Sequence, residues 1–344
     1  MRIAIVGCGA MGTVLGAYLS KSGQDVQMVD NYQEHVQAMN ANGAHIIGSV
    51  DITVPVNAIT TDQMEGIYDI IFLLTKQTAN NEVLPQIVKH MSPESTICTL
   101  QNGVPEPYVA EYAGMERTIG GTVLWGATFI EPGVSELTQD ITESDHLFEI
   151  GEIDGQIRER TKLVASVLNN MGPTKITESL MSSRWGKLVN NACMSGMSAV
   201  CGCTFGEVLD NPKALACLCY LGREVRQGCE AVDLKLPILL GEQSPKPLQL
   251  SDQAEFETCK EMFLTMYEGL RPAKASMLQD LEKSKLTEVD LINGFVCQTG
   301  KEKKVTTPFN DKVVEIVHKI EQKTLSLSMD NLKYFDENLF EYGI

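Results

Sequence analysis

Hydrophobic and polar residues follow two different patterns on either side of Thr177. Before this residue, short apolar runs alternate with amphipathic stretches, which is typical of strand–helix–strand units. After it, long stretches with helical spacing of apolar residues dominate, and the alternation of strands and helices ends. We therefore expect an α/β fold with a sheet-based domain at residues 1–177, an all-helical domain at 178–325 and a C-terminal extension at 326–344.

The sheet-based region predicts a parallel sheet covered by helices. Residues 69–74 are almost wholly apolar, as is typical of a parallel strand that is covered on both faces. Residues 133–138 and 146–151 are expected to add antiparallel strands to the edge of this sheet. The other predicted strands span residues 2–6, 25–30, 96–100 and 118–130, and the predicted helices span 11–21, 33–40 and 80–90.

The second region predicts long helices and one proline-containing loop at residues 240–250. The helices are expected over residues 179–197, 212–232, 252–267 and 307–324. Residues 326–344 contain several large apolar side chains, among them Leu332, Phe335 and Phe340. We expect this extension to form a terminal helix docked on the domain, with a partner-binding arm as the alternative.

The composition disfavours nucleic acids and membranes as partners. The 28 basic and 45 acidic side chains give a formal charge of −17, which disfavours nucleic acids and anionic membranes. The longest apolar runs, such as residues 70–74, are far shorter than the roughly 20 residues that a membrane-spanning helix needs. The apolar stretch before Gly7 is too short for a signal peptide, so we expect a cytoplasmic protein.

The ten cysteines are expected to be reduced thiols, because disulfides are rare in the cytoplasm. Two cysteine pairs, at residues 201 and 203 and at 217 and 219, raise the question of a metal site. Structural zinc sites favour two to four residues between cysteines, and residues two apart on a helix point to opposite sides. We therefore predict no metal and interpret these cysteines as small core residues, with a zinc site as the alternative.

A glycine-rich turn, G-C-G-A-M-G at residues 7–12, lies between the first predicted strand and the first predicted helix. In this position a G-x-G-x-x-G pattern is typical of a dinucleotide site, because its glycines permit a tight turn, close approach of a pyrophosphate and close helix packing. The pyrophosphate would lie at the helix N-terminus, where free N–H groups and the helix dipole favour an anion. We predict cofactor contacts at Gly7, Gly9, Ala10, Met11 and Gly12, with a turn that binds no ligand as the alternative.

Asp30 lies 18 residues beyond Gly12, at the end of the second predicted strand. A carboxylate there can accept hydrogen bonds from the adenosine ribose and would repel a 2′-phosphate. The next residues, N-Y-Q at 31–33, offer no cation. We therefore predict NAD(H) over NADP(H), with an aspartate that caps the following helix as the alternative.

Further clusters of polar residues exceed what packing alone requires. In open α/β sheets ligands bind beyond the carboxyl ends of the strands, so the clusters at strand ends point to the cofactor crevice. The clusters are T-K-Q at residues 75–77, Q-N-G at 101–103, R-W-G-K-L-V-N-N at 184–191, S-M-L-Q-D at 276–280 and T-E-V-D-L-I-N-G at 287–294.

With these motifs in order from Gly7 to about Glu321, the chain resembles the ketopantoate reductase family. The resemblance implies a Rossmann dinucleotide-binding domain joined to an all-α domain like that of 6-phosphogluconate dehydrogenase. It also implies reduction of a 2-oxo acid to the (R)-2-hydroxy acid by hydride transfer from a nicotinamide cofactor. The last residues extend beyond the usual end of the family.

The resemblance assigns catalysis to the helical domain. Lys187 matches the catalytic lysine of the W-x-K-L motif, and Glu288 matches a glutamate that pairs with this lysine or with a substrate hydroxyl. Hydride addition to a ketone leaves negative charge on oxygen, which a positioned ammonium can stabilise and protonate. Surface roles are the alternatives, since a lysine on a helix is often solvated and a glutamate is favoured at a helix N-terminus.

The remaining assignments are to binding. Asn191, one helical turn after Lys187, and Ser276 match substrate-binding residues. Asn102 matches the asparagine that contacts the substrate near the nicotinamide, and we count it with both cofactor and substrate. Lys76 matches a lysine of the cofactor pocket, with a surface lysine at a strand end as its alternative.

Two positions depart from the family pattern. Many pantoate-forming members have a second asparagine eight residues after the lysine, where this chain has Ser195, which we keep as a substrate-binding candidate. Asp30 departs in the same direction, because biosynthetic members commonly use NADPH. Since hydrogen-bonding sites discriminate strongly, an NAD-dependent D-2-hydroxyacid dehydrogenase for another branched 2-oxo acid is an alternative to ketopantoate, which stays the leading substrate.

Two alternatives come from other classes: a non-catalytic dinucleotide sensor, and a reductase that takes an amine as second substrate. A sensor would not need Lys187, Asn191, Ser276 and Glu288 together. The expected partner is a small-molecule 2-oxo acid, and the sequence leaves the oligomeric state open between a monomer and a homodimer.

Overall fold

A computed structural model describes residues 1–142 and 144–344, and the chain divides into two compact units, Met1–Leu180 and Met181–Ile344. The first unit is α/β and the second is helical. The strands are β1 Arg2–Val6, β2 Asp25–Val29, β3 Ala44–Gly48, β4 Ile52–Val54, β5 Asn57–Ile59, β6 Ile70–Leu73, β7 Thr96–Thr99, β8 Thr118–Val123, β9 Ala127–Glu131, β10 Val134–Leu137, β11 Phe148–Glu152 and β12 Thr174–Ile176. The helices of the first unit are α1 Ala10–Lys21, α2 Gln33–Asn42, α3 Asn80–Ile87, α4 Glu106–Ala113 and α5 Glu159–Leu168.

The main sheet has the order β12-β11-β8-β7-β6-β1-β2-β5 over the described residues. From β8 to β5 every neighbouring pair is parallel, so the carboxyl ends of these strands lie along one edge. In β1, Ile3 and Ile5 belong to the core on one face of the sheet, and Ala4 and Val6 to the core on the other. Burial on both faces explains why β1 and β6 are almost continuously apolar, and it confirms the parallel sheet.

A second sheet, in the order β4-β3-β10-β9, differs from the prediction. The predicted strand at 118–130 divides into β8 in the main sheet and β9 in the second sheet. The prediction that 133–138 adds to the edge of the main sheet is wrong, because β10 pairs with β9 and β3. Only every second residue of β10 is buried, as in an amphipathic strand, and this strand contacts α1.

The strand β11 is antiparallel to β8, as predicted for residues 146–151, but it is not at the sheet edge. It also pairs with β12, in parallel. Glycines make this pairing close: a Cβ on Gly121 would lie 2.6 Å from the Ile150 side chain, and a Cβ on Gly151 would lie 2.5 Å from the carbonyl of Thr177.

Helices pack around a long central helix in the second unit. Helix α9 contacts α8, α10, α12 and α13, and most of its residues are buried on all sides. The helices are α6 Leu180–Asn190, α7 Gly196–Cys201, α8 Phe205–Asp210, α9 Pro212–Ala231, α10 Gln253–Tyr267, α11 Ser276–Glu282, α12 Val289–Lys303 and α13 Pro308–Glu321. Residues Asn191–Ser195 form a π turn that joins α6 to α7, so the helix predicted over 179–197 is interrupted.

The C-terminal extension docks on the helical unit, as one of its two interpretations predicted, but not as an α-helix. Leu332, Phe335 and Phe340 are buried in the core, and the Phe340 ring lies edge-on to Phe309 at 5.2 Å. The extension forms only the 3-10 turns Met329–Tyr334 and Glu337–Leu339. Serine and aspartate side chains cap both turns, and such residues compete with a continuous helix by bonding to the nearby backbone.

No described helix is long and apolar enough to cross a bilayer. The cysteines are free thiols, nine of them buried and Cys297 half-buried. Within the described residues, no group of three or more histidine, cysteine, aspartate or glutamate side chains could hold a metal ion.

Candidate active site

The glycine-rich turn links β1 to α1 at the switch point of the main sheet, between β6 and β2. Gly7 has φ +93°, and a Cβ on it would lie 2.4 Å from the Thr75 amide nitrogen. A Cβ on Gly12 would lie 2.2 Å from the Gly7 carbonyl oxygen. These two glycines therefore allow the turn and the close packing that the sequence pattern predicts.

Gly9 has a different environment. A Cβ on it would meet no described atom within 4 Å, and the residue directly precedes the N-terminus of α1. The open surface above Gly9, next to the free N–H groups of the first helical turn, suits a pyrophosphate. The turn therefore fits a dinucleotide, with Ala10 and Met11 supplying the start of the helix.

His35, which the sequence analysis missed, supports this turn from α2. Its Nε2 lies 2.6 Å from the Cys8 carbonyl oxygen and 3.0 Å from Thr13 Oγ1. Its Nδ1 accepts a hydrogen bond from the Gly133 amide at 2.9 Å. An acceptor at Nδ1 and a donor at Nε2 define a neutral imidazole, and burial lowers the pKa of His35 accordingly. A lone histidine in a polar helix gives no sequence signal for this role.

Asp30 follows β2 and is half-buried. Its Oδ1 accepts a hydrogen bond from the Tyr32 amide at 2.9 Å, which forms a turn before α2. The residue that caps α2 is Tyr32, so Asp30 is not the N-cap of this helix. The structure thus places this carboxylate at the carboxyl end of the strand next to the glycine-rich turn.

Lys76 and Asn102 follow β6 and β7 at the same edge of the sheet; Lys76 is exposed and Asn102 is half-buried. Buried amide side chains join the two loops. Gln77 Nε2 donates to the Asn102 carbonyl at 2.6 Å, and Gln101 Nε2 donates to the Thr75 carbonyl at 2.8 Å. The first unit therefore brings Lys76 and Asn102 next to the glycine-rich turn, because Thr75 also contacts Gly7.

Lys187 lies on α6, two residues after the buried Trp185. The Trp185 ring packs against Gly228, where a Cβ would lie 3.0 Å from the indole. Positions two apart on a helix differ by about 200°, so Lys187 lies on a different face from the buried Trp185 and is itself half-buried. Burial and the nearby charge of Arg184 lower the pKa of Lys187 to about 7. An amine with this pKa exchanges protons readily near neutral pH.

Asn191 and Ser195 begin and end the π turn after α6, and both are half-buried. The Gly196 amide donates to the Asn191 carbonyl, five residues back, which defines the wider turn. Asn191 Nδ2 is buried and has no hydrogen-bond partner among the described residues. A buried amide of this kind costs free energy unless a ligand satisfies it. The sequence motif predicted the residue but not the π turn.

Ser276 and Glu288 lie at the N-termini of the two remaining helices of the candidate site. Ser276 is the exposed first residue of α11, and Glu288 is the buried residue directly before α12. The preceding Thr287 donates from both its amide and its hydroxyl to Glu321 Oε1, each at 2.8 Å. Helices α11 and α12 both contact the π turn, so the second unit gathers the elements that carry Lys187, Asn191, Ser276 and Glu288.

Comparisons with known proteins agree over nearly the whole chain. The family model described as "Ketopantoate reductase PanE/ApbA" matches residues 3–154, and "Ketopantoate reductase PanE/ApbA C terminal" matches residues 179–321. A 2-dehydropantoate 2-reductase from Streptococcus pyogenes serotype M3 is 27% identical over 92% of this chain and 97% of its own. A 2-dehydropantoate 2-reductase from Pyrococcus abyssi is 28% identical over 90% of this chain and 94% of its own.

Solved structures share the fold. D-mandelate dehydrogenase in complex with NADH and anilino(oxo)acetate has a TM-score of 0.80 at 24% identity and covers 94% of this chain and 99% of its own. A PanE/ApbA family ketopantoate reductase from Ralstonia eutropha has a TM-score of 0.79 at 21% identity, with the same coverage. The two-part architecture is therefore common to proteins of low sequence identity.

Proposed function

The chain belongs to the ketopantoate reductase family and is an NAD(P)-dependent oxidoreductase, and we propose that it reduces a small 2-oxo acid to the (R)-2-hydroxy acid. Ketopantoate is the leading substrate, since the curated relatives are 2-dehydropantoate 2-reductases. The observation that carries the proposal is the lowered pKa of Lys187, about 7, on the same helical run as the unpartnered amide of Asn191.

Lys187 is proposed to act as the general acid. The reduced dinucleotide, when bound, supplies the hydride. The protonated amine of Lys187 stabilises the negative charge that develops on the carbonyl oxygen and then gives up its proton there. A pKa of about 7 keeps a large fraction of the amine protonated near neutral pH and still permits the transfer.

The other residues are proposed to bind and orient the substrate. Asn191 offers an amide whose hydrogen bond a 2-oxo acid oxygen would complete. Asn102, Ser195 and Ser276 add polar groups for the carboxylate and the side chain, and Glu288 pairs with the lysine or with a substrate hydroxyl. Carboxylate and carbonyl oxygens of a 2-oxo acid are acceptors, which amide and hydroxyl donors suit.

NAD(H) is proposed over NADP(H). The support is the position of Asp30 at the end of β2, where a carboxylate would bind ribose hydroxyls and repel a 2′-phosphate. The dinucleotide would lie on the glycine-rich turn, with its pyrophosphate above Gly9 and Lys76 at the edge of the pocket.

A second candidate is an NAD-dependent D-2-hydroxyacid dehydrogenase for another branched or bulky 2-oxo acid. It is favoured by Ser195, which replaces an amide side chain with a smaller hydroxyl in the π turn. Sites that hydrogen-bond their substrate discriminate strongly against altered partners, so this exchange bears directly on which acid is accepted.

A panel of 2-oxo acids assayed with NADH and with NADPH tests the proposal by kcat/KM. The account predicts turnover of at least one acid, highest for ketopantoate, with NADH preferred. Turnover that is highest for a bulkier acid selects the second candidate. NADH oxidation that requires an amine, or none with any acid, contradicts the proposed function.

A further inference from the structure

A chain of buried polar side chains runs through the helical unit to the π turn. It begins at Glu224 on α9, passes through Asn310 on α13 and ends at Asn293 on α12. These three side chains are between 0% and 2% exposed. Burying polar groups costs folding free energy unless each is hydrogen-bonded, and Asn293 Oδ1 has no hydrogen-bond partner among the described residues. Such a chain therefore points to a task beyond packing.

The carboxylate of Glu224 fixes the start of α13. Its Oε1 accepts from the Phe309 amide at 2.9 Å, and its Oε2 accepts from the Asn310 amide at 2.9 Å. These amides lie in the first turn of a helix, where N–H groups lack intrahelical partners and a negative charge is favoured. Oε2 also accepts from Asn310 Nδ2 at 2.7 Å, so the orientation of this amide side chain is determined.

Asn310 in turn orients Asn293. Asn293 Nδ2 donates to Asn310 Oδ1 at 2.9 Å and to the carbonyl of Ala192 at 3.0 Å, which accounts for both of its amide hydrogens. Ala192 is the second residue of the π turn. A Cβ on Gly196, directly after the turn, would lie 3.2 Å from Asn293 Nδ2. The Asn293 side chain therefore holds the turn at its beginning and lies against its end.

We propose that Asn293, oriented by Asn310 and Glu224, is a positioning residue that fixes the π turn and so presents Asn191 and Ser195 to the substrate. The inference rests on the proposed function, which gives these two residues their substrate contacts. A π turn is rare and is frequently found at functional sites. The hydrogen bond from Asn293 to the Ala192 carbonyl stabilises this geometry directly after Asn191, whose side-chain amide is buried.

Asn331 provides a matched control in the same unit. It is also a buried asparagine, and its Nδ2 donates to the carbonyl of Val200 on α7 and to the carbonyl of Ser326, each at 2.9 Å. Its bond to the helical run thus lies after the π turn. Asn331→Ala and Asn293→Ala remove the same chemical group, so a general loss of stability affects both variants.

The variants are compared by steady-state kinetics with the best 2-oxo acid from the panel and by binding of NADH. Asn293→Ala is expected to raise the KM for the acid at least about tenfold, because substrate binding then pays for ordering the turn. Asn310→Ala should raise it about threefold, since Asn293 keeps its bond to Ala192. Asn331→Ala should stay within about twofold of wild type, and the Kd for NADH should be unchanged in all three.

Hydrogen–deuterium exchange of residues 191–197 gives a second readout that needs no turnover. This segment should exchange faster in Asn293→Ala than in wild type and at the wild-type rate in Asn331→Ala. If wild type reduces no 2-oxo acid, the proposed function fails, and unchanged exchange in Asn293→Ala would still overturn the positioning role. If wild type is active and Asn293→Ala and Asn331→Ala change the KM and the exchange rate equally, the positioning role is wrong although the proposed function holds.

Discussion

The two units would bind their ligands by different means. In the first unit the backbone forms most of the proposed binding site: Gly7 and Gly12 permit the turn, and Gly9 leaves the helix N-terminus open. In the second unit the candidate groups are the side chains of Lys187 and Asn191, and the placement proposed for Asn191 depends on a π turn and a buried polar chain. A backbone site is specified by local sequence, whereas a side-chain site is specified by packing contacts far apart in the chain.

Replacing Lys187 should have the largest effect. Lys187→Ala is expected to lower kcat at least about 100-fold, because it removes the proposed proton donor. The Kd for NADH should stay unchanged, since the glycine-rich turn is intact. Lys301→Ala, an exposed lysine on α12, is the control and should keep wild-type activity. A Lys187→Ala enzyme of near wild-type kcat would show that Lys187 is not the proton donor and that the second unit does not act through this side chain.

Adding a side chain to Gly9 tests the backbone half. The space around Gly9 admits a Cβ, so Gly9→Val should fold with a melting temperature close to wild type. It should nevertheless weaken NADH binding at least about tenfold, because the side chain takes the place of the pyrophosphate. Gly269 is similarly open in the second unit, and Gly269→Val should bind NADH normally. Equal NADH affinities for both variants would place the dinucleotide elsewhere.

Exchanging Asp30 refines the cofactor assignment. Asp30→Ser should lower the ratio of kcat/KM for NADH to that for NADPH about tenfold, through lost ribose bonds and lost repulsion of the 2′-phosphate. Asp25, an exposed carboxylate at the other end of β2, serves as the control in Asp25→Ser. An unchanged ratio in Asp30→Ser, or a wild-type preference for NADPH, would contradict the assignment.

Removing His35 should have the smallest effect of this series. His35→Ala deletes the bonds to the Cys8 carbonyl and the Gly133 amide, so the glycine-rich turn loses its support from α2. We expect NADH to bind about threefold more weakly, with kcat retained. His90→Ala, which loses one contact to the Gly66 carbonyl, should leave NADH affinity unchanged. Equal affinities for wild type and His35→Ala would show that the turn needs no such support.

How much the sequence predicts also differs between the units. The glycine-rich turn and the parallel strands are local features, because the turn depends on backbone freedom and the strands on apolar runs. Asp30 is local too, since its place follows from the end of such a strand. The second sheet was missed, since β3 and β10 lie far apart in the chain and only pairing brings them together. His35 was missed for the same reason, because its partners Cys8 and Gly133 are distant in sequence.

The helical unit was predicted as a set of helices, and its candidate residues came from motifs. Lys187 and Asn191 could be placed on one helical face from their spacing. The π turn could not, because it is a five-residue segment within a longer helical run and is too short to show a period of its own. Neither could the contact between Asn293 and Ala192, which joins residues 101 positions apart.

The pH dependence of the reaction tests the role of Lys187 most directly. The pKa of this lysine is about 7 in place of 10.5, so the protonated acid is lost as the pH rises through 7. For reduction, kcat/KM should therefore fall about tenfold per pH unit above this pH, and for oxidation of the hydroxy acid it should rise through the same pH. A reduction rate that stays constant between pH of about 6 and 9 would contradict the account.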